Sequence, residues 1–516
     1  MDAAVTEHQH HTKRWVILGF LGLAQLMVVL DATIVNIAMP SAQKSLGFSV
    51  VDRQWLITAY SLAFGSLLFL GGRLSDLIGR KTTLQIGLIG FAFASALGGA
   101  SQSFGMLVTA RAIQGAFGAV LAPAALAMVT TAFTDPDERG KAFSIYGSIA
   151  GAGAAIGLLL GGILTQYLNW RWTLYVNLIF AAIALIGTQI LLVRERGQAE
   201  GGLDTPSTLL ISTGLFSIVF ALSHAANSAE NTAATHGTVT LVSALLNPTT
   251  VVCMVVGIGL VIAFTRRQMH LERPMLPLSV VTDRARGGSF LAILMAAASM
   301  FAVFLFLTFY LQGVLHYSPV RAGLAFLPMV VMLSASAVFS QTVLLPRFGP
   351  RPLTPAGMAI GAVGMFVFTH LAVHGNYVGQ VLPGLLITGV AMGTVFATSM
   401  NTSTARIRPE YAGSASATVN VTQQIGGSIG TALLSTVAIA ASLAFVPSGI
   451  IPPHTPTAAQ AKAYQEHLAN LVLVHGYTVA FWWGVGIFAA GAIVTAIVLP
   501  SGRPERVTAE RVLVAA

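Results

Sequence analysis

WVILGFLGLAQLMVVLDATIVNIA, residues 15–38, is apolar from end to end except for Gln25, Asp31, Thr33 and Asn36. A helix needs roughly 20 such residues to cross the hydrocarbon core of a bilayer, and this stretch is long enough. A cleaved signal peptide has an apolar run of only about 7–15 residues and would not be followed by many more runs of the same kind, as this one is. The whole chain repeats the pattern. Of its 516 residues 55% are hydrophobic and 9% charged, and its mean hydropathy is +0.77. A soluble protein carries about 25% charged residues, so this surface is built to face hydrocarbon. The expected fold class is therefore an all-α polytopic membrane protein, and a soluble enzyme is excluded.

Apolar runs follow at 54–72, 82–101, 105–132, 142–166, 172–193, 208–223 and 249–265, and then at 289–313, 322–345, 352–373, 378–404, 412–445 and 477–500. With the first they predict fourteen crossings and place both termini on one side. Loops on that side hold most of the basic residues, among them Lys13, Arg14, Arg73, Arg80, Lys81, Arg139, Lys141, Arg266, Arg267, Arg284 and Arg347. The opposite side has Lys44, Arg53, Arg171, Arg321 and Lys462. The positive-inside rule then puts both termini in the cytoplasm and the chain in the cytoplasmic membrane. The net charge of +9 is spread over many loops rather than gathered in one patch, which argues for anionic lipid and against nucleic acid as its partner. The lone Cys253 gives no disulfide framework. His8, His10 and His11 read as a solvated tail, so no metal site is expected. An outer amphipathic stretch, 458–473, reads as a short surface helix before the last span.

The sequence also repeats itself. At one constant separation Pro136 matches Pro409, Gly140 matches Gly413, and Gly153, Ile156 and Gly157 match Gly426, Ile429 and Gly430. LSDLIGRK (74–81) has a weaker echo in LPRFGPR (345–351). The expected organisation is a tail at 1–14, a six-helix bundle at 15–193, a linker with two extra transmembrane helices at 194–286, a second six-helix bundle at 287–500, and a tail at 501–516. Two related six-helix halves are a transporter architecture, with the site between them near the midplane.

No nucleotide-binding GxxxxGK[ST] loop is present, so an ion gradient is the expected energy source and no cofactor is expected. Asp31 is the carboxylate inside a span. Burying it charged costs about 2.5–3.5 kcal/mol, which points to a protonation site or a contact for a cationic substrate; a structural polar anchor is the alternative. Arg111 is the basic residue deep in a span, with Gln114 three residues on along the same face. Asp31 is its candidate partner. Around Asp76, the turn GGRLSDLIGRK (71–81) sets Gly72, Gly79, Arg80 and Lys81 beside helix ends and reads as a gate or latch rather than a substrate site. Asn420, Gln423 and Gln424 share a helix face, either bonding between helices or lining a cavity. With Asn36, Gln114 and Tyr310 they are the candidate cavity residues. The run Phe301, Phe304, Phe306, Phe309 reads first as lipid-facing and second as a drug pocket. GAGAAIG (151–157) reads as close helix packing through small residues, not as a dinucleotide site.

Together these segments resemble the fourteen-helix drug:proton antiporter branch of the major facilitator superfamily, along nearly the whole chain. LDATIVNIAMP (30–40) is similar to that branch's first-helix motif, whose acid falls on Asp31. GGRLSDLIGRK matches the superfamily's gating signature, and LVTARAIQGAFGA (107–119) matches the fourth-helix motif, which places a proton-coupling arginine at Arg111. GAAIGLLLGG (153–162) resembles the fifth-helix antiporter motif through Gly153, Gly157, Gly161 and Gly162, although Leu158 stands where that motif has proline. NWRWTLYVN (169–177) is similar to a further stretch of the branch, without the proline that often follows. The resemblance implies the major facilitator fold, two six-helix bundles with two extra helices between them. It also implies a monomeric proton-coupled exporter of amphipathic or cationic small molecules such as antibiotics and antiseptics. A transporter dedicated to one metabolite is the alternative.

Overall fold

The computed structural model describes residues 2–50, 52–133, 135–192, 204–236, 246–271, 274, 276, 278–404, 412–445 and 458–500; some side chains within its helices, including those of the first 13 residues and Asp76, lie outside the described residues. The described residues are nearly all helical. The long helices are α1 (Asp2–Leu46), α2 (Arg53–Ile78), α3 (Arg80–Gly99), α4 (Phe104–Ala132), α5 (Pro136–Tyr167), α6 (Trp172–Leu191) and α7 (Thr205–His236). They continue as α8 (Pro248–His270), α9 (Arg284–Phe309), α10 (Pro319–Phe339), α11 (Pro350–Phe368), α12 (Leu382–Thr404), α13 (Ala412–Ala444) and α14 (Ala458–Val498).

By length and composition, 12 of the described helices can cross a membrane. The other two are α5, which contributes a shorter apolar stretch, Ala152–Tyr167, and α2. Both lie between neighbours: α2 packs on α4 and α13, and α5 on α1 and α10. Helices so enclosed need less apolar surface than those facing lipid. By contrast Val252, Val255, Ile258 and Ile262 of α8 are exposed, which suits a helix at the lipid boundary.

Local chemistry sets many of the helix starts. Ser103, Asn247, Asp283 and Ser318 each accept a backbone N–H of the first turn, from Met106, Thr249, Arg286 and Arg321. Pro248 and Pro319 follow two of these caps, where proline's missing N–H is harmless. The 71–81 segment differs from the expected loop. Helix α2 runs on to Ile78, and Gly79 alone, at φ 90°, turns the chain into α3. Gly349, at φ 77°, makes the same one-residue hinge between the extension of α10 (Leu345–Phe348) and α11. Both angles lie in the left-handed region open to glycine, so the weak echo between the two segments is a repeated hinge.

The stretch expected as a separate surface helix at 458–473 is the first part of α14. It holds no proline to interrupt the helix, and Ser442 Oγ of α13 donates to its Val472 carbonyl at 3.1 Å. A second correction concerns the phenylalanines of α9. Phe304, Phe306 and Phe309 are buried, not lipid-facing, and Phe301 lies against Gly427. Phe304 packs on Phe326 of α10, and Phe306 on Tyr477 and Phe481 of α14.

We call the face where α1 begins and α14 ends the terminal face, and the opposite one the far face. Near the far face the first and last six helices touch. Gln312 Nε2 donates to Ile37 O (2.9 Å), Val320 N to Gln166 Oε1 (3.2 Å), and Arg53 to the Tyr477 hydroxyl (3.4 Å). The α7–α8 pair leans on α2 and α13, where Ser212 Oγ donates to Ser66 O and Thr436 Oγ1 to Leu222 O.

Candidate functional site

Asp31 sits well inside α1 with no exposed surface. Its Oδ2 accepts from Arg111 Nη1 at 2.6 Å. Its Oδ1 accepts from Gln114 Nε2 and from Asn177 Nδ2, each at 2.8 Å. The same two amides reach Ser95 Oγ, at 2.7 Å and 3.4 Å. Arg111 Nη1 also donates to Gln114 Oε1 (2.6 Å), its Nε donates to the Leu56 carbonyl (3.2 Å), and its guanidinium lies over the Tyr60 ring. The carboxylate is thus held by groups from α4 and α6, whose amides are tied to α3 through Ser95, and the arginine also touches α2.

The sequence builds this locally. Arg111 and Gln114 are i, i+3 neighbours on α4 and so face α1 together. Gly115 and Gly118 let α4 lie against Tyr60 and Phe64 of α2. The antiporter-motif glycines place α1: a methyl group at Gly153 would lie 3.2 Å from Leu26 and Val29. At Gly157 it would lie 3.0 Å from the Leu30 carbonyl, and at Gly161 2.9 Å from that of Ile34. These contacts flank Asp31 on both sides. In the last six helices Gly426 and Gly430 of α13 make the matching approach to Leu294 and Ala298 of α9, as the repeat requires. Gly162 instead meets Pro319 and Val320 of α10.

Electrostatics decides what the cluster can do. Leaving one member of a buried pair without the other costs about 3–5 kcal/mol, so the burial of Asp31 and that of Arg111 depend on each other. Adding a proton to Asp31 removes the arginine's counter-charge, and the pair then has reason to move apart.

Other sequence candidates fall elsewhere. Asn36 is buried on α1 and donates to Ala32 O, outside the cluster. Tyr310 is fully buried and its hydroxyl donates to Ala372 O at 2.7 Å, so it faces the packed core and not a cavity. Asn420 is exposed, Gln423 and Gln424 are half-buried, and Gln424 lies against Gly65 of α2. In the gating segment Lys81 Nζ donates to the Gln189 and Leu192 carbonyls at the end of α6, where a cation suits the helix terminus. Arg80 is half-buried, and Gly72 has no close neighbour. Asp76 lies in the last turns of α2, and its side chain is outside the described residues.

Sequence reasoning assigned no role to Asn177 or Ser95. Asn177 carried a signal, as an amide inside an apolar span; a serine in such a helix is too common to carry one. Among the described residues no group of three or more His, Cys, Asp or Glu could hold a metal. A cavity of about 190 Å³ lies near the far face between Arg53, Phe306, Phe309, Ser435 and Tyr477. Ligand pockets for drug-sized molecules are roughly 300–1,000 Å³, so this one is too small in the present conformation.

The fold and the buried pair define a multi-pass helical membrane transporter. Residues 21–431 match the Major Facilitator Superfamily, and the chain belongs to that family. It is 43% identical to the puromycin resistance protein pur8 of Streptomyces alboniger, over 95% of this chain and 92% of that one. It is 34% identical to the cephamycin export protein CmcT of Amycolatopsis lactamdurans (80% and 83% covered) and 31% identical to the multidrug efflux pump LfrA of Mycolicibacterium smegmatis (87% and 86%). Among solved structures, it shares its fold with a bacterial homologue of the human lysosomal transporter Spinster in the inward-facing, unoccupied conformation. The TM-score is 0.60 at 14% identity, covering 95% and 99% of the two chains.

Proposed function

We propose that this protein exports amphipathic or cationic small molecules, antibiotics among them, across the cytoplasmic membrane in exchange for protons. The observation that carries the reading is the fully buried Asp31–Arg111 pair at 2.6 Å, in a chain whose relatives bear the names of resistance and export proteins. With both termini in the cytoplasm, as the basic loops argue, the contacts at the far face close the outer side, and the protein stands in its inward-facing state. It works as a monomer and needs no cofactor.

The cycle follows from the pair. When the outer side opens, a proton from outside neutralises Asp31 and frees Arg111 from its counter-charge. When the inner side opens, the proton leaves, the pair re-forms, and drug enters. The drug leaves on the next outward opening. An inside-negative potential adds about 2.3 kcal/mol per charge per 100 mV.

Asp31→Asn keeps the shape and removes the proton site. In proteoliposomes with a pH gradient, efflux by this variant should fall to the background of empty vesicles, and a protonophore should abolish wild-type efflux. Undiminished efflux by Asp31→Asn would falsify the assignment. A second reading, export of one antibiotic only, draws on the puromycin and cephamycin names of two relatives. A substrate panel in cells lacking their own pumps separates the two: resistance to one compound class supports the dedicated exporter, and resistance across classes the broad one.

A further inference from the structure

The Asp31 cluster lacks one thing that a protonation site needs. Its carboxylate faces only donors: Arg111 at Oδ2, and the amides of Gln114 and Asn177 at Oδ1. That set suits the charged form. Once Oδ1 carries a proton, it points an O–H at two N–H groups. Of the acceptors nearby, Gln114 Oε1 already holds Arg111, and Ser95 Oγ already accepts from both amides. Asn177 Oδ1 is different. It is buried and has no hydrogen-bond partner, on a residue with no exposed surface.

A side-chain amide carries donor and acceptor on one plane, and its terminal torsion is broad and roughly two-fold. Half a turn about the Cβ–Cγ bond therefore exchanges Nδ2 for Oδ1 with no backbone movement. We infer that Asn177 is the positioning residue that reads the protonation of Asp31: its Nδ2–H donates to the carboxylate, and its Oδ1 turns to accept from the carboxylic acid. This rests on Asp31 being the proton-carrying group. The proton comes from water on the open side, forms the O–H bond at Asp31 Oδ1, and returns to water when the other side opens. No other bond forms or breaks. The exchange gives both protonation states a satisfied oxygen, and it ties α6 to the state of α1. Among the described residues, the ionisable groups around Asp31 are Arg111 and Tyr60, whose ring lies beneath the guanidinium. Neither offers the amide's exchange: Arg111 only donates, and the Tyr60 hydroxyl has no bond to the carboxylate.

Infrared difference spectra between high and low pH, taken on the full-length protein in lipid, test this. Wild-type protein should show a carboxylic C=O band on acidification that is missing in Asp31→Asn. Together with it an asparagine amide C=O band should shift, identified by isotope-labelled asparagine and missing in Asn177→Leu. In Asn177→Leu the carboxylic band should move to the frequency of a less hydrogen-bonded acid. Proton-driven efflux should fall roughly tenfold, the loss expected for one hydrogen bond to a charged group, and Tyr60→Phe should leave both bands in place. A carboxylic band without the asparagine shift overturns the inference and leaves Asp31 as the proton carrier. So does a band that moves in Tyr60→Phe and not in Asn177→Leu. If no band depends on Asp31 at any pH, the proton-coupling reading fails, and the role of Asn177 fails with it.

Discussion

Two seams join the first six helices to the last six, and they are built in opposite ways. Between α5 and α10 the backbones touch. Gly162 meets Pro319 and Val320 at distances that leave no room for a methyl group, and Gly323 meets the Leu158 carbonyl. Between α2 and α13 the contact is made of polar side chains. Gln54, Thr58 and Ser61 line one face of α2 at i, i+4 and i+7, ending at Gly65; Gln424, Ser428, Thr431 and Ser435 line one face of α13 at the same spacing. The two helices run antiparallel, and Gly65 against Gln424 fixes the register. At the far end of this seam Arg53 and Ser435 line one cavity.

These groups differ sharply from the equally buried polar set at Asp31. There both carboxylate oxygens accept hydrogen bonds and the guanidinium donates to Asp31, Gln114 and the Leu56 carbonyl, with Asn177 Oδ1 and the Tyr60 hydroxyl the atoms left without partners. In the α2–α13 seam Gln54, Thr58, Ser61, Ser428, Thr431 and Ser435 have buried polar atoms without hydrogen-bond partners. A buried group left unsatisfied costs about 1–3 kcal/mol. Water reaching the α2–α13 seam would remove that cost, so this seam is expected to part on opening and the close-packed glycine seam to act as the pivot.

The largest effect should come from filling the pivot. In Gly323→Val the branched side chain is driven into the Leu158 carbonyl, and overpacking of this kind costs about 1–3 kcal/mol or more. Cysteine labelling from outside should then find the far face open in most molecules. If it stays closed and efflux is normal, the seam is not close-packed in function. The polar seam should respond with the opposite sign. Thr431→Val keeps the shape and removes an unsatisfied hydroxyl, so the closed far face gains about 1 kcal/mol. The thermal midpoint should rise while efflux slows. A lowered midpoint would mean that this hydroxyl is satisfied in the working protein. The smallest effect is expected at Arg53, which caps the far end of the polar seam. It stacks 3.6 Å from the centre of the Phe309 ring and donates to Gln43 Oε1 at 2.8 Å. Arg53→Gln should cost the closed state about 0.5–1 kcal/mol, seen as a two- to fivefold increase in labelling at the far face. No change would make the arginine incidental to closure.

Much of this was legible in the chain itself. Asp31 and Arg111 stand out because charge is costly in hydrocarbon, so each one left in a span announces itself. The paired glycines of α5 and α13 were legible as a repeat, and both sets press on the helix that starts their own half. The phenylalanines of α9 were misread as lipid-facing because composition gives apolarity without direction. Burial against α10 and α14 is a property of the packed bundle. Helices were also longer than their apolar runs, since hydropathy ends at the membrane surface while the backbone hydrogen bonds of α2 continue to Ile78.

The sequence by itself determined that this protein lives in a bilayer and which two charges, Asp31 and Arg111, it keeps inside. Those follow from transfer free energies, which act on each residue almost independently of its neighbours. Only the tertiary structure decided that the two charges meet, that Asn177 and Ser95 complete their surroundings, and that one seam is dry backbone while the other is unbonded hydroxyl. Those depend on which faces of α1, α3, α4 and α6, or of α2 and α13, are turned toward one another. That rotation is set by packing between helices far apart in the chain.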